Sequence, residues 1–144
     1  MRSPRGFTLV EALVTLAVLA ILLGVFFVNL RPLYNPLEDA ANRLEGFLKQ
    51  TRAKAMATTS AYQVKIAGNR LVAKRAKRCS DTIWNPDPRL TLELPHGIAI
   101  RSNPDQPLCF TSRGHAVTPL TYVLTDGKGD SRTLQVYLGG AVRR

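Results

Sequence analysis

GFTLVEALVTLAVLAILLGVFFVNL, residues 6–30, is the stretch on which the reading of this chain turns. It holds one charged residue, Glu11, and residues 12–30 are 19 consecutive uncharged positions. As a helix, that run covers roughly 28 Å, close to the thickness of a bilayer's hydrocarbon core. The preceding MRSPRG is short and basic, with Arg2 and Arg5. Positive flanking charge stays cytoplasmic, so whatever follows Leu30 is expected on the far side of the membrane. A cleaved secretory signal has a shorter apolar core and then a small-x-small site, and Leu30-Arg31-Pro32 offers none. A plain single-span anchor would leave Glu11 unexplained, because an intramembrane carboxylate costs on the order of 3 kcal/mol unless it is partnered.

Composition bounds the remainder. The chain has 144 residues, enough for one domain beside such a helix, and 20 Lys+Arg against 10 Asp+Glu give a formal charge of +10. The composition excludes an acidic disordered tail, a collagen-like repeat and a disulfide-dense mini-protein. Removing Arg2, Arg5, Glu11 and Arg31 leaves 17 basic and 9 acidic residues in 32–144, so 17 − 9 = +8 belongs to the part outside the cytoplasm. Such an excess fits a polyanionic partner.

Gly6-Phe7-Thr8-Leu9-Val10-Glu11, behind a basic leader and ahead of an unbroken apolar helix, resembles the prepilin processing site of type IV pilins and type II secretion pseudopilins. The resemblance implies cleavage between Gly6 and Phe7 by a prepilin peptidase and N-methylation of Phe7. It also implies that Glu11 pairs with the N-terminal amine of a neighbouring subunit in a helical filament. Residues 1–6 are then a cleaved leader, 7–30 the transmembrane and filament-core helix, and 31–144 a globular pilin-like domain. The resemblance places the protein in the bacterial inner membrane, with its C-terminal domain periplasmic, and in a pilus or pseudopilus at the cell surface.

Pro32 and Pro36 interrupt the helical pattern, and the residues before them are pushed out of the helical region. Asn35-Pro36-Leu37-Glu38 reads as a restart, with Asn as N-cap and Pro at the first helical position. Leu37, Ala40, Ala41, Leu44, Phe47, Leu48, Thr51 and Ala55 then follow at helical spacing, so an amphipathic helix is expected over 36–58. From residue 61 to 144 the period is two, with turns at Gly68-Asn69, Pro95-His96-Gly97 and 126–130. The expectation is an α+β fold of about seven short, mainly antiparallel strands, with a long N-terminal helix kinked near Pro32 and Pro36 packed on the sheet. Residues 40–66, Phe110-Thr-Ser-Arg-Gly114 and the glycine-led basic tail are similar to FimT-like minor pilins and H-type pseudopilins.

Cys79 and Cys109 lie in the part expected outside the cytoplasm, where disulfides persist, so a bridge between them is expected, against the alternative of two structural thiols. Lys74-Arg75-Ala76-Lys77-Arg78 is the densest basic run, and a strand would send one of its faces inward, so the strand is expected to end near Ala73. With Arg143 and Arg144 on a terminal tail, these cations form a candidate DNA-binding set, against the alternative of a solvated surface. Residues 126–130 read as a hairpin turn rather than a calcium loop, since only two carboxylates are present and Lys128 stands between them. His96 and His115 read as turn residues, and Trp84 as a loop anchor. No nucleophile elbow, phosphate loop or metal-ligand cluster appears, so neither catalysis nor a cofactor is expected. The chain reads as a minor type IV pilin with DNA as its external partner, the alternatives being an H-type pseudopilin of a type II secretion system and an unprocessed membrane-anchored interaction domain.

Overall fold

A computed structural model describes residues 8–30 and 35–144. The chain forms two compact units that divide after Asn35. The first contains helix α1, Leu9–Leu30. Gly6, Phe7 and the kink expected at Pro32 lie outside the described residues.

The second unit is α+β. Its helix α2 spans Pro36–Ala57, and its buried residues are Leu37, Ala40, Ala41, Leu44, Phe47, Leu48, Thr51 and Ala55, the stripe read from the periodicity. Thr51 is a tolerable core residue because its hydroxyl donates to the Phe47 carbonyl at 2.8 Å. At its C-terminus the Ser60 N–H reaches the Ala55 carbonyl at 3.1 Å and the Thr59 N–H reaches Met56 at 3.3 Å. That pairing is a Schellman motif, with Thr59 at φ 48° in the position glycine usually takes.

Eight strands follow: β1 Ala61–Ala67, β2 Arg70–Ala76, β3 Asn85–Glu93, β4 Ile98–Asn103, β5 Leu108–Phe110, β6 Leu120–Asp126, β7 Ser131–Val136 and β8 Val142–Arg143. They make two four-stranded antiparallel sheets, in the orders β3-β2-β1-β5 and β4-β6-β7-β8. The Pro95–Gly97 turn therefore carries the chain from one sheet to the other. β3 starts earlier than the alternation indicates, at Asn85, and contains Pro86 and Pro88; it is an edge strand, where missing N–H donors are tolerated. The strand beyond the expected seven is β8, whose single apolar residue leaves no alternation to read.

α2 lies over strands of both sheets, and one core joins it to them, with Tyr62, Phe110, Tyr122, Leu71, Leu90, Leu124 and Leu134 at its centre. Outside the strands, the sheets are stitched at one place. Ala116 bridges Phe110 of β5, and its N–H donates to the Leu138 carbonyl at 3.0 Å.

One expectation needs correction. β2 does not end near Ala73 but continues through Lys74 and Arg75 to Ala76. Lys74 faces Gln63 and Pro86, and Arg75 faces Tyr62 and Asn85, so both neighbouring strands hold this backbone. No charge is buried by it. Lys74 is half-buried and Arg75 exposed, because long cationic stems reach past the end of the core to water.

Candidate functional site

The N-terminal unit presents one chemical anomaly on an apolar rod. Residues Leu9–Phe27 have a mean hydropathy of 2.7 and are long enough to cross a membrane, and none of that surface is buried by the rest of the described chain. Thr8 opens the helix as its cap: its side-chain oxygen accepts the Glu11 N–H at 3.3 Å, and its carbonyl accepts from Ala12 at 3.1 Å. Thr-Leu-Val-Glu is thus spaced as a capping box, although no bond from the Glu11 carboxylate closes its second half among the described residues. Glu11 is exposed there, a carboxylate without a partner among the described residues on a helix apolar enough to cross a membrane.

The second unit gathers its features at the C-terminal end of α2. Cys79 and Cys109 are joined in a disulfide with Cα atoms 6.0 Å apart, closing a separation of 30 residues. The bond ties the loop after β2 to β5. Since Ala76 pairs with Ala61, the first residue of β1, the basic run Lys74, Arg75, Lys77 and Arg78 sits beside the end of α2. Lys77 and Arg78 are exposed, and the Arg78 N–H is bound by the Asp81 carboxylate at 3.0 Å, which folds the loop onto itself. Nearby, Lys54 and Asp87 pair at 3.3 Å. Burial alone would raise the Asp87 pKa, but bonds from the Arg89 N–H, Lys54 and the Tyr62 hydroxyl outweigh it and hold it below its usual value.

The two terminal arginines part company. Arg143 is exposed on β8, opposite Gln135. Arg144 lies against the first half of α2, where its guanidinium meets Glu38, Asn42 and, at 3.1 Å, Glu45. Arg132 adds a second cation on Glu38 at 3.1 Å. The Arg132 bond, with Arg144 beside it, lowers the Glu38 pKa, and Lys49 followed by Arg144 lowers that of Glu45. Arg144 therefore closes the fold at the opposite end of α2 from the basic run, and its charge is already matched.

Sequence reading did not connect Arg52 with the two glycine-containing turns it joins. Its Nε donates to the Gly114 carbonyl at 2.9 Å and its Nη2 to the Gly139 carbonyl at 3.0 Å. Gly140, at φ +78°, packs so closely that a Cβ there would stand 1.9 Å from the Gly114 oxygen. The adjacent Gly139-Gly140 pair was the only sequence signal of this close approach. Around 126–130, the Asp126 carboxylate accepts the N–H groups of Lys128 and Asp130, each at 2.9 Å, the geometry of a hairpin turn. Among the described residues no three His, Cys, Asp or Glu side chains group as metal ligands.

Comparison with known proteins accords with this architecture. Residues 1–27 match the prokaryotic N-terminal methylation motif, and residues 40–140 match the model of the type II transport protein GspH. No curated protein matches the chain. Among solved structures, the type IV minor pilin FimU of Pseudomonas aeruginosa superposes with a TM-score of 0.61 at 18% identity, covering 74% of this chain and 86% of that one. The minor pseudopilin EpsH from the type 2 secretion system of Vibrio cholerae gives 0.57 at 17% identity, covering 76% and 95%. With a family model spanning most of its length and a pilin fold beneath it, the chain belongs to the GspH family, within the type IV pilin and pseudopilin superfamily.

Proposed function

We propose that this protein is a minor subunit of a type IV pilus or of its initiating tip complex, held in the filament by α1 and presenting Pro36–Arg144 outside the cytoplasm. The observation that carries this is Glu11, a carboxylate without a partner among the described residues, on a helix that is otherwise uncharged. A helical bundle of such subunits would cover the apolar surface and supply the missing cation, as the new amine of a neighbour's Phe7. Processing by a prepilin peptidase between Gly6 and Phe7 in the inner membrane belongs to the same reading. The test is the N-terminus of the mature protein. A methylated phenylalanine at position 7 supports it, whereas a chain that still begins at Met1 makes this an unprocessed anchored domain.

DNA is our reading of the external partner, through Lys74, Arg75, Lys77 and Arg78 with Arg143. Support comes from the +8 charge of the domain and from the exposure of Arg75, Lys77, Arg78 and Arg143. Arg144 drops out of the set because Glu38 and Glu45 already balance it. The full-length protein should bind duplex DNA in low salt, with affinity falling roughly 500-fold between 50 and 200 mM salt if each of the five cations meets one phosphate. Neutralising the five cations should abolish that binding, while Arg144→Gln should leave it unchanged; equal binding by the neutralised protein rejects the site. The other placement, an H-type pseudopilin, draws on the GspH match and on the fold of EpsH. Deletion distinguishes the two: lost transformation with intact secretion marks the pilus, and the reverse marks the secretion system.

A further inference from the structure

The large apolar side chains exposed on Pro36–Arg144 are few and not scattered. Five are found among the described residues of this unit: Met56, Ile83, Val117, Tyr137 and Leu138. All but Ile83, each 44–57% exposed, surround the knot that Arg52 ties at the end of α2. The backbone contacts bring the segments that carry them together. A Cβ on Gly114 would stand 2.7 Å from the Met56 sulfur, and one on Gly140 would strike the Gly114 carbonyl. The Gly140 N–H donates to the Tyr137 carbonyl at 2.7 Å, the Ala116 N–H to Leu138 at 3.0 Å, and the Val117 N–H to Cys109 at 3.0 Å. Single exposed apolar residues are ordinary on a protein surface, whereas four around one knot mark a contact.

Positive charge predominates around this patch, and Asp87 beside it is already paired with Lys54. Residues 46–80, 106–125 and 131–144, which build it, contain no Asp or Glu. Lys54 has Asp87, but Arg52, Arg113 and Arg143 have no carboxylate partner among the described residues. Arg52 is held by carbonyls alone, so its full charge stays beneath the patch.

We propose that this pole docks a neighbouring subunit of the filament, through a segment that sets an apolar side chain between carboxylates. The proposal rests on the filament reading above and adds the surface and the chemistry of the neighbour. Three of the four, Met56, Val117 and Leu138, are aliphatic side chains that form interface cores and do not stack on bases, the Tyr137 hydroxyl is engaged by Gln135 at 2.8 Å, and the rim of guanidinium groups without carboxylates selects carboxylates. A polynucleotide would meet the charge but leave the aliphatic patch uncovered.

The test uses the full chain, with a photo-crosslinking residue in place of Leu138, in cells that assemble the filament, and mass spectrometry of the crosslinked peptide. We expect a peptide of a pilin-type subunit, with Asp or Glu within about four residues of the attachment point, one helical turn. Reversing Arg113 and Arg143 to Glu should cut the yield at least about tenfold, while reversing Lys77 and Arg78 should change it less than about twofold. The neutral pair Arg113→Gln and Arg143→Gln, checked for an unchanged melting midpoint, serves if the reversed pair does not fold. A crosslink to nucleic acid, to lipid or to a segment without carboxylates overturns the proposal, and so does a yield indifferent to these charges. Filaments that contain the protein but give no crosslink overturn the docking surface alone; absence of the protein from filaments overturns the filament reading and the docking with it.

Discussion

Gly140 and Gly114 are both left-handed, at φ +78°, yet they should respond differently to a methyl group. At Gly140 the new carbon meets a backbone carbonyl at 1.9 Å, which can move only with its turn. At Gly114 it meets the Met56 thioether at 2.7 Å, the end of a side chain that can rotate away. Gly140→Ala should therefore cost about 2–4 kcal/mol and Gly114→Ala about 1–2 kcal/mol, measured by denaturant unfolding of the full chain. A second prediction concerns the carboxylates. Glu38, Glu45 and Asp87 have folded-state pKa values below their usual ones, so they stabilise the fold above those ordinary values, and this stabilisation is lost as pH falls through the folded pKa. Melting midpoints should hold steady from neutral pH down to about 5 and then fall. Arg132→Gln, which removes the bond that most lowers the Glu38 pKa, should make that acid loss shallower. An unchanged acid limb would refute the assignment.

Among the elements, α2 was the most legible. Each of its buried positions could be named from spacing alone, because a helix against a core has a single period and this one is uninterrupted from Leu37 to Ala55. β2 was less so. Alternation cannot show that a strand continues where the core has run out, and the charged end of β2 is kept in the sheet by β1 and β3. α1 buries none of its apolar surface in the rest of the described chain, and Glu11 is the one charged residue it carries. Glu11→Leu should leave membrane insertion intact while lowering incorporation into filaments at least about tenfold, as expected for an acid that acts only once it is paired in the bundle. Fractionation of membranes against sheared filaments checks this, and undiminished incorporation would remove Glu11 from the assembly.

At the scale of the whole molecule, the Cys79–Cys109 bridge closes about 30 residues and ties the basic loop to β5. In the chain-entropy model such a loop stabilises by roughly 3–4 kcal/mol, so reductant or the double Cys→Ser change should lower stability by that amount. Alkylation of both cysteines in the unreduced protein would show that the bond does not form. The charge is also arranged at this scale. Of the +8 carried by residues 32–144, Arg132 and Arg144 neutralise acids on the first half of α2, whereas Arg52, Arg113, Lys77 and Arg78 lie at the other end of that helix without a carboxylate on their side chains among the described residues. Within α2 itself the charge is divided, with Glu38, Asp39 and Glu45 in its first half and Arg52 and Lys54 in its second.

Much of this protein follows from residue order alone. The apolar helix, the acid at position 11, the stripe of α2 and the hairpins at 68–69 and 126–130 depend on patterns a few residues long, and local stereochemistry reads them the same way in any fold. The division of eight strands between two sheets could not be read so. Neither could the withdrawal of Arg144 from the basic set, nor the meeting of Met56, Gly114, Val117, Leu138 and Gly140 at one pole. Those outcomes join residues as far as 106 positions apart, and they were decided by how the sheets close over α2, a matter of packing that no local pattern records.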